Sequence, residues 1–430
     1  MINGFSKFSK EQKRRWLEKN YLNDFQYEDI FGKYDNADAT LQQLHDEFIE
    51  NTVANYYLPL GVAPNFCIND QFYTIPMVVE ESSVVAGVSK AAKYWAERGG
   101  FRSEVVSTEK IGQIHLFFDG NSDDFQNFFN QIKPILLPDT QHITSNMQKR
   151  GGGICSIELQ DKTHQLTGYY QVFATFETLD AMGANFINSC LEQMAKTIER
   201  EATHWKLSGN IEILMCILSN YVPNCLVRSQ VVCSIDKMNY GNISGKVFTQ
   251  KLIKAVDIAN IDTYRAVTHN KGVMNGIDAV IIATGNDFRA VEAALHAYAC
   301  RSGQYKSLTY AYIENDLFHF GIEVPLALGT IGGLTQLHPM VKTALRILNN
   351  PNAKQLMQIV ASVGLAQNFA ALSALVTSGI QQGHMKMHLV NIINQLGASP
   401  EQKTKLIEYF KDRIVSYREV YEQFLTINNS

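Results

Sequence analysis

Between residues 111 and 218 the chain alternates two hydrophobic periods in an order that few folds accommodate. Strand-like segments read as IGQIHLFF (111–118), GGICSIELQ (152–160), Gly168–Thr178 and IEILMCILS (211–219). Helical spacing covers 122–146 and Ala181–Trp205, with Pro134 and Pro138 expected to interrupt the first of these. The resulting order, β-α-β-β-α-β, is the split βαβ or ferredoxin-like arrangement. Mixed material flanks it on both sides. FCIND-QFYTIPMVV reads as a hairpin turning at Asn69-Asp70, and a helix over Val84–Arg98 is capped by Ser82 or Ser83. Beyond Thr309 come a strand, FHFGIEVPL, a glycine-rich turn, GTIGG, and a long helix over Ala353–Ser378 ended by Gly379. Ser399-Pro400-Glu401-Gln402 opens a further helix. The expected fold class is α+β. A large discontinuous domain (1–108 and 220–378) would carry an inserted ferredoxin-like domain (109–219) and a C-terminal helical lid (379–430).

The stretch Tyr264–Arg289 carries the densest chemistry. Lys271 precedes the apolar run Ile277–Ala283 and Asp287 follows it, and burying lone charges beside such a run costs several kcal/mol. The two are sixteen residues apart, about 24 Å along a helix and roughly twice that along a strand. They cannot meet on one straight element, so either the chain doubles back or Lys271 of one subunit meets Asp287 of another. HNKGVMNG looks unlike a solvated face, which favours a buried lysine. Arg265 is placed to bind a carboxylate bidentately. In VVEESSVVAG, Glu80 and Glu81 repel each other, and burying either favours its protonated form, as a proton donor requires. Asp180-Ala181-Met182-Gly183-Ala184-Asn185 opens a helix directly after a strand, where small residues let a phosphate approach the N–H groups; an ordinary Asp-capped turn explains it as well. No G-x-G-x-x-G is present. His384 and His388 have the spacing of two metal ligands on a helix, but no third ligand accompanies them and no metal is assigned.

The strings HNKG, MNGID and TGND (269–272, 274–278, 284–287) resemble the catalytic segment of the hydroxymethylglutaryl-coenzyme A reductases, their second, bacterial-type class above all. DAMGAN (180–185), RGGG (150–153), HAYACR (296–301), GLAQN (364–368) and GIQQGHM (379–385) are similar to members of that class too. The likeness runs the whole length and is weakest over 1–45 and 119–149. It implies a two-step reduction of hydroxymethylglutaryl-CoA to mevalonate and CoA. Catalytic roles fall to Glu81, Lys271, Asp287 and His384, and substrate contacts to Ser83, Arg265 and Asn275. Ser82 stands where the family has Pro or Gly. Cofactor contacts fall to Asp180, Met182, Gly183, Ala184, Asn185 and Asn220, with Thr144 at the position that selects between NADP and NAD. NADPH is expected, NADH being the alternative, and a homodimer with shared active sites is implied. Two other readings of these residues are a Schiff-base lyase using Lys271 and a CoA- or nucleotide-binding regulator without activity.

Composition narrows the surroundings. A formal net charge of −4 and the lack of a basic stripe argue against a nucleic-acid partner. The seven cysteines form no C-x-x-C pair, and no stretch approaches about 20 uninterrupted apolar residues. A soluble, cytoplasmic protein without a membrane span is expected.

Overall fold

The computed structural model describes residues 2–22, 30–377, 389–411, 413 and 415–428, and the chain divides into two compact units, 1–59 and 60–430. The first unit holds α1 (Lys10–Tyr21), α2 (Ile30–Lys33) and α3 (Ala39–Asp46). A Ser9–Gln12 capping box starts α1, whose Lys10 and Arg14 converge on Asp35 at 2.9 and 2.7 Å. The Arg14 guanidinium holds the Asp35 carboxyl below its usual range.

In the second unit β1 (Leu60–Ile68) and β2 (Gln71–Val78) form the expected hairpin, and Asn69 and Asp70 both take positive φ, as a type I′ turn requires. Helix α4 (Val84–Ala96) follows. Strand β3 (Arg102–Val105) leads to β4 (Lys110–Phe118), α5 (Ser122–Asp139), α6 (Gln141–Gln148), β5 (Gly153–Asp161), β6 (Tyr169–Glu177), α7 (Ala184–His204) and β7 (Ile211–Leu218). The sheet order is β5-β6-β4-β7, every neighbour antiparallel. Alternation along β4 buries Ile114, Leu116 and Phe118 on one face, against Phe125, Phe128 and Leu136 of α5 and Ile187, Leu191 and Met194 of α7. The prolines do not interrupt α5, which runs to Asp139. Both are exposed, so the carbonyls they leave without a partner face water.

The chain continues through β8 (Leu226–Ser234), α8 (Gly245–Ile261), α9 (Thr263–Ala283), α10 (Phe288–Ala299), β9 (Thr309–Glu314), β10 (Leu317–Pro325), α11 (Leu334–Leu337), α12 (Pro339–Ile347) and α13 (Ala353–Val376). A second four-stranded sheet has the order β3-β8-β10-β9. Helix α13 packs on this sheet and along α9. Its length and composition would suit a membrane span, yet it is largely buried as the central helix of the main core. Leu389, Ile393, Leu406, Phe410 and Val420 close a third, small core near the C-terminus.

Candidate active site

Asp262 caps α9, accepting from the Tyr264 amide at 3.0 Å, and the helix then runs unbroken through the segment that the sequence left open between helix and strand. Ile277, Val280, Ile281 and Ala283 are buried in the core. Gly276 allows α13 to come close: a Cβ there would sit 2.8 Å from Gln367 Cβ. One stripe of α9, Arg265, Thr268, Gly272 and Asn275, faces a cavity of about 680 Å³. The loop after β2 supplies Glu81, Ser82 and Ser83 to the same cavity. Lys271 Nζ donates to Glu81 Oε2 at 2.6 Å, and Asn275 Nδ2 reaches the same oxygen at 3.5 Å. Ser83 stands at the N-cap of α4 with φ of 75° and makes no capping bond, so its hydroxyl is not spent on the helix. Arg265 is half-buried with no acidic partner among the described residues, and burial pulls its guanidinium below the ordinary value. A cavity walled by an unpaired guanidinium and an ion-paired lysine suits an anionic ligand with a polarisable oxygen.

Three expectations about charge need correction. Lys271 is not buried: its side chain is 58% exposed and its partner is Glu81 rather than Asp287. The helix turns it to the cavity mouth, on the opposite side from buried Val273. Glu80 is exposed and Glu81 only partly buried, so Glu81 takes a cation instead of contending with its neighbour. Asp287 lies after the Gly285 turn and caps α10, accepting from the Arg289 and Ala290 amides at 3.1 and 3.2 Å. It is absent from the residues that line the cavity.

Two of the remaining predicted residues line a second, smaller cleft, and four more stand in the turn beside it. Met182 and Asn220 line it with Lys110 and with Ala290, Val291 and Ala294 of α10, the helix that Asp287 caps. The α7 N-terminus stands beside it. Gly183 is the N-cap, at φ of 97°, and no side chain caps the amides after it; Ala184 and exposed Asn185 open the helix. Asp180 is therefore not the cap of α7. Its carboxylate accepts from the Ala353 amide at 2.8 Å and so closes the start of α13. Its carbonyl accepts from Thr330 and Ile331, which places GTIGG against the DAMGAN turn, a relation the sequence did not show. Asn286 joins the same cluster by accepting from the Gly329 amide at 2.8 Å.

Thr144 does not belong to this cleft. It is fully buried in α6, and its hydroxyl donates to the Thr140 carbonyl at 3.2 Å, so it offers no atom to a cofactor. His384 lies outside the described residues. Sequence reasoning missed His269, Gln367 and Asn368, which line the larger cavity. The signal was at hand: all three stand in the quoted strings HNKG and GLAQN.

Residues 9–389 match the family model of hydroxymethylglutaryl-coenzyme A reductase. The chain is 37% identical over 385 residues to the 3-hydroxy-3-methylglutaryl-coenzyme A reductase of Archaeoglobus fulgidus, covering 88% of this chain and 85% of that one. A probable reductase of the same name from Borreliella burgdorferi is 33% identical, covering 92% and 87%. Among solved structures, the Streptococcus pneumoniae enzyme superposes with a TM-score of 0.74 at 34% identity, over 99% of both chains. A class II structure of that enzyme, bound to NADPH in open conformations, gives 0.73 at 35% identity, over 87% of this chain and 99% of that one. The chain belongs to the hydroxymethylglutaryl-coenzyme A reductase family. Within it, the chain is of the class II, bacterial type.

Proposed function

We propose that this protein reduces hydroxymethylglutaryl-CoA to mevalonate and free CoA, drawing on NADPH. The observation that carries the reading is the Glu81–Lys271 pair, 2.6 Å apart on the wall of the cavity that also holds Arg265, Ser83 and Asn275. Arg265 binds the terminal carboxylate of the acyl chain, and Ser83 and Asn275 hold its other oxygens. Lys271 stabilises the oxyanion that develops on the thioester carbonyl and later on the aldehyde. Glu81 delivers the proton to the aldehyde oxygen across the bond it now makes to Lys271. His384 protonates the departing CoA thiolate. The Schiff-base reading would spend the lysine nitrogen on a covalent bond, whereas Nζ is engaged with Glu81 at 2.6 Å.

The residues at the second cleft fit a dinucleotide: α7 begins with amides that no side chain caps, at a glycine whose Cβ would strike Thr178. A reduced nicotinamide held there would supply one hydride, and a second, exchanged in for the oxidised one, would supply the other. Met182, Gly183, Ala184, Asn185 and Asn220 line its seat, and Asp180 holds the turn. Residues 109–219 would then be the ferredoxin-like nucleotide domain, 1–108 with 220–378 the acyl-binding domain, and 379–430 the lid. Because one chain puts Lys271 at the acyl cavity and Asp287 outside it, as the cap of a helix that lines the second cleft, a homodimer that apposes the two completes the site. A cytoplasmic location accords with this chemistry. Monitoring absorbance at 340 nm with hydroxymethylglutaryl-CoA tests the proposal; no NAD(P)H oxidation by the folded protein would refute it.

A further inference from the structure

His269 is buried on the cavity side of α9, and its hydrogen bonds fix its tautomer. The Ser307 hydroxyl donates to the Thr309 carbonyl at 2.8 Å, and the Thr309 hydroxyl donates to Asn368 Oδ1 at 3.2 Å. The Asn368 amide is oriented in turn by donating its Nδ2 proton to the His269 carbonyl at 3.1 Å. Both hydroxyl protons are thus committed, and both oxygens face His269 Nε2 as acceptors, at 2.7 and 2.9 Å. Nε2 must carry the proton, which leaves Nδ1 with a bare lone pair. Nδ1 is buried and has no hydrogen-bond partner among the described residues. Burial and the nearby Arg265 charge keep the ring neutral, pushing its pKa down to about 3.

A buried acceptor without a donor costs free energy unless a ligand supplies one. Neither Ser307 nor Thr309 lines the cavity, whereas His269 does, so the ring is anchored from behind the cavity wall. A second acceptor on the same wall, Gln367 Oε1, also lacks a donor among the described residues. Arg265 is one turn before His269 on α9, which puts a carboxylate site and a hydroxyl site about 5–6 Å apart at their Cβ atoms. In a hydroxymethylglutaryl chain the tertiary carbinol carbon is two bonds from the carboxylate carbon.

We infer that His269 is a specificity-determining residue that recognises the tertiary hydroxyl of the acyl chain, its Nδ1 accepting the hydroxyl proton while Arg265 holds the carboxylate. The inference rests on the reductase reading above and adds to it the group that separates 3-hydroxy acyl chains from their deoxy analogues.

The test compares two competitive inhibitors, 3-hydroxy-3-methylglutarate and its near-isostere 3,3-dimethylglutarate, in which a methyl replaces the hydroxyl. The wild-type protein should bind the hydroxy acid about tenfold more tightly, the worth of one well-made hydrogen bond. His269→Gln keeps an N–H donor for Ser307 and Thr309 but removes the acceptor; its ratio should fall to about one while KM for NADPH stays within twofold. His269→Asn returns an oxygen to the δ position and should restore part of the preference. A wild-type ratio near one overturns the inference without any variant, as does an unchanged ratio in folded His269→Gln. If the wild-type protein does not reduce hydroxymethylglutaryl-CoA at all, the reductase reading itself fails, a result distinct from either of these.

Discussion

Lys271 Nζ and Glu81 Oε2 stand 2.6 Å apart although 190 residues separate them in the sequence. The pair joins the loop before α4 to the middle of α9, and neither partner is deeply buried. An exposed pair of this kind contributes little to stability. Its value lies in where it sets a cation and a proton source relative to Arg265.

Lys271→Ala should therefore separate activity from folding. Reduction of hydroxymethylglutaryl-CoA is expected to fall by at least ~10²–10³, as when a single oxyanion-stabilising group is removed. The melting temperature should hardly move, because a substitution at so exposed a side chain stays within about 0.5 kcal/mol. Steady-state rates and a thermal scan on one preparation check both halves, and near-normal turnover would remove the lysine from the mechanism.

Asp287 is a helix cap as well as a candidate catalytic group, and two substitutions distinguish the roles. Asp287→Ala should cost about 1 kcal/mol of stability through the lost cap, whereas Asp287→Asn keeps the capping oxygen and should cost far less. Both should lose activity if the charge is what matters. Mixing Lys271→Ala with Asp287→Ala protein should restore partial activity through heterodimers that carry one intact site. Mixed dimers that form and stay inactive would rule out a shared site.

Asp278 gives the fold a pH dependence of its own. Burial, and then the adjacent Glu292, hold its carboxyl well above the ordinary range, and its Oδ1 is buried with no partner among the described residues. The folded state keeps the proton where the unfolded chain releases it, so stability is full below the unfolded value of about 4 and declines as pH rises above it. Asp278→Asn should raise the melting temperature at pH 8 relative to wild type and change it little at pH 4. Equal shifts at both values would contradict the burial argument.

Cofactor choice should be indifferent to Thr144, whose hydroxyl is committed to its own helix. Thr144→Val is expected to leave the NADPH-to-NADH ratio of kcat/KM within twofold. Lys149 and Arg150 are exposed at the end of α6, and reversing both to Glu should reduce that ratio several-fold if they meet the 2′-phosphate. An unchanged ratio would place the phosphate elsewhere.

How much was legible depended on whether the determinant was local. Alternation in β4 and β6 and the Asn69-Asp70 turn declared themselves because period and positive φ are short-range properties. Arg265 and Asn275 could be matched one by one because they lie in a compact string. What failed was long-range. The exposure of Lys271 follows from the rotation of α9 against α13, and the spending of Asp180 on Ala353 depends on a partner 173 residues away. Thr144 failed for a different reason: alignment in the least similar stretch gave a position but not its burial. The His269 network was hidden because Ser307 and Thr309 stand 38 and 40 residues from it in the sequence and Asn368 stands 99 away.

Helix α13 begins at the residue that Asp180 holds and, fourteen residues on, supplies Gln367 to the acyl-side cavity. At about 1.5 Å per residue that interval is some 21 Å of rigid rod. It acts as a gauge block between the nucleotide turn and the acyl wall, its length set by residue count and its phase by helical pitch. Adding one residue within Ala353–Gln367 would lengthen the block by about 1.5 Å and rotate its far end by about 100°. The spacing between the two clefts is therefore quantised, and drift in this interval has no small steps available.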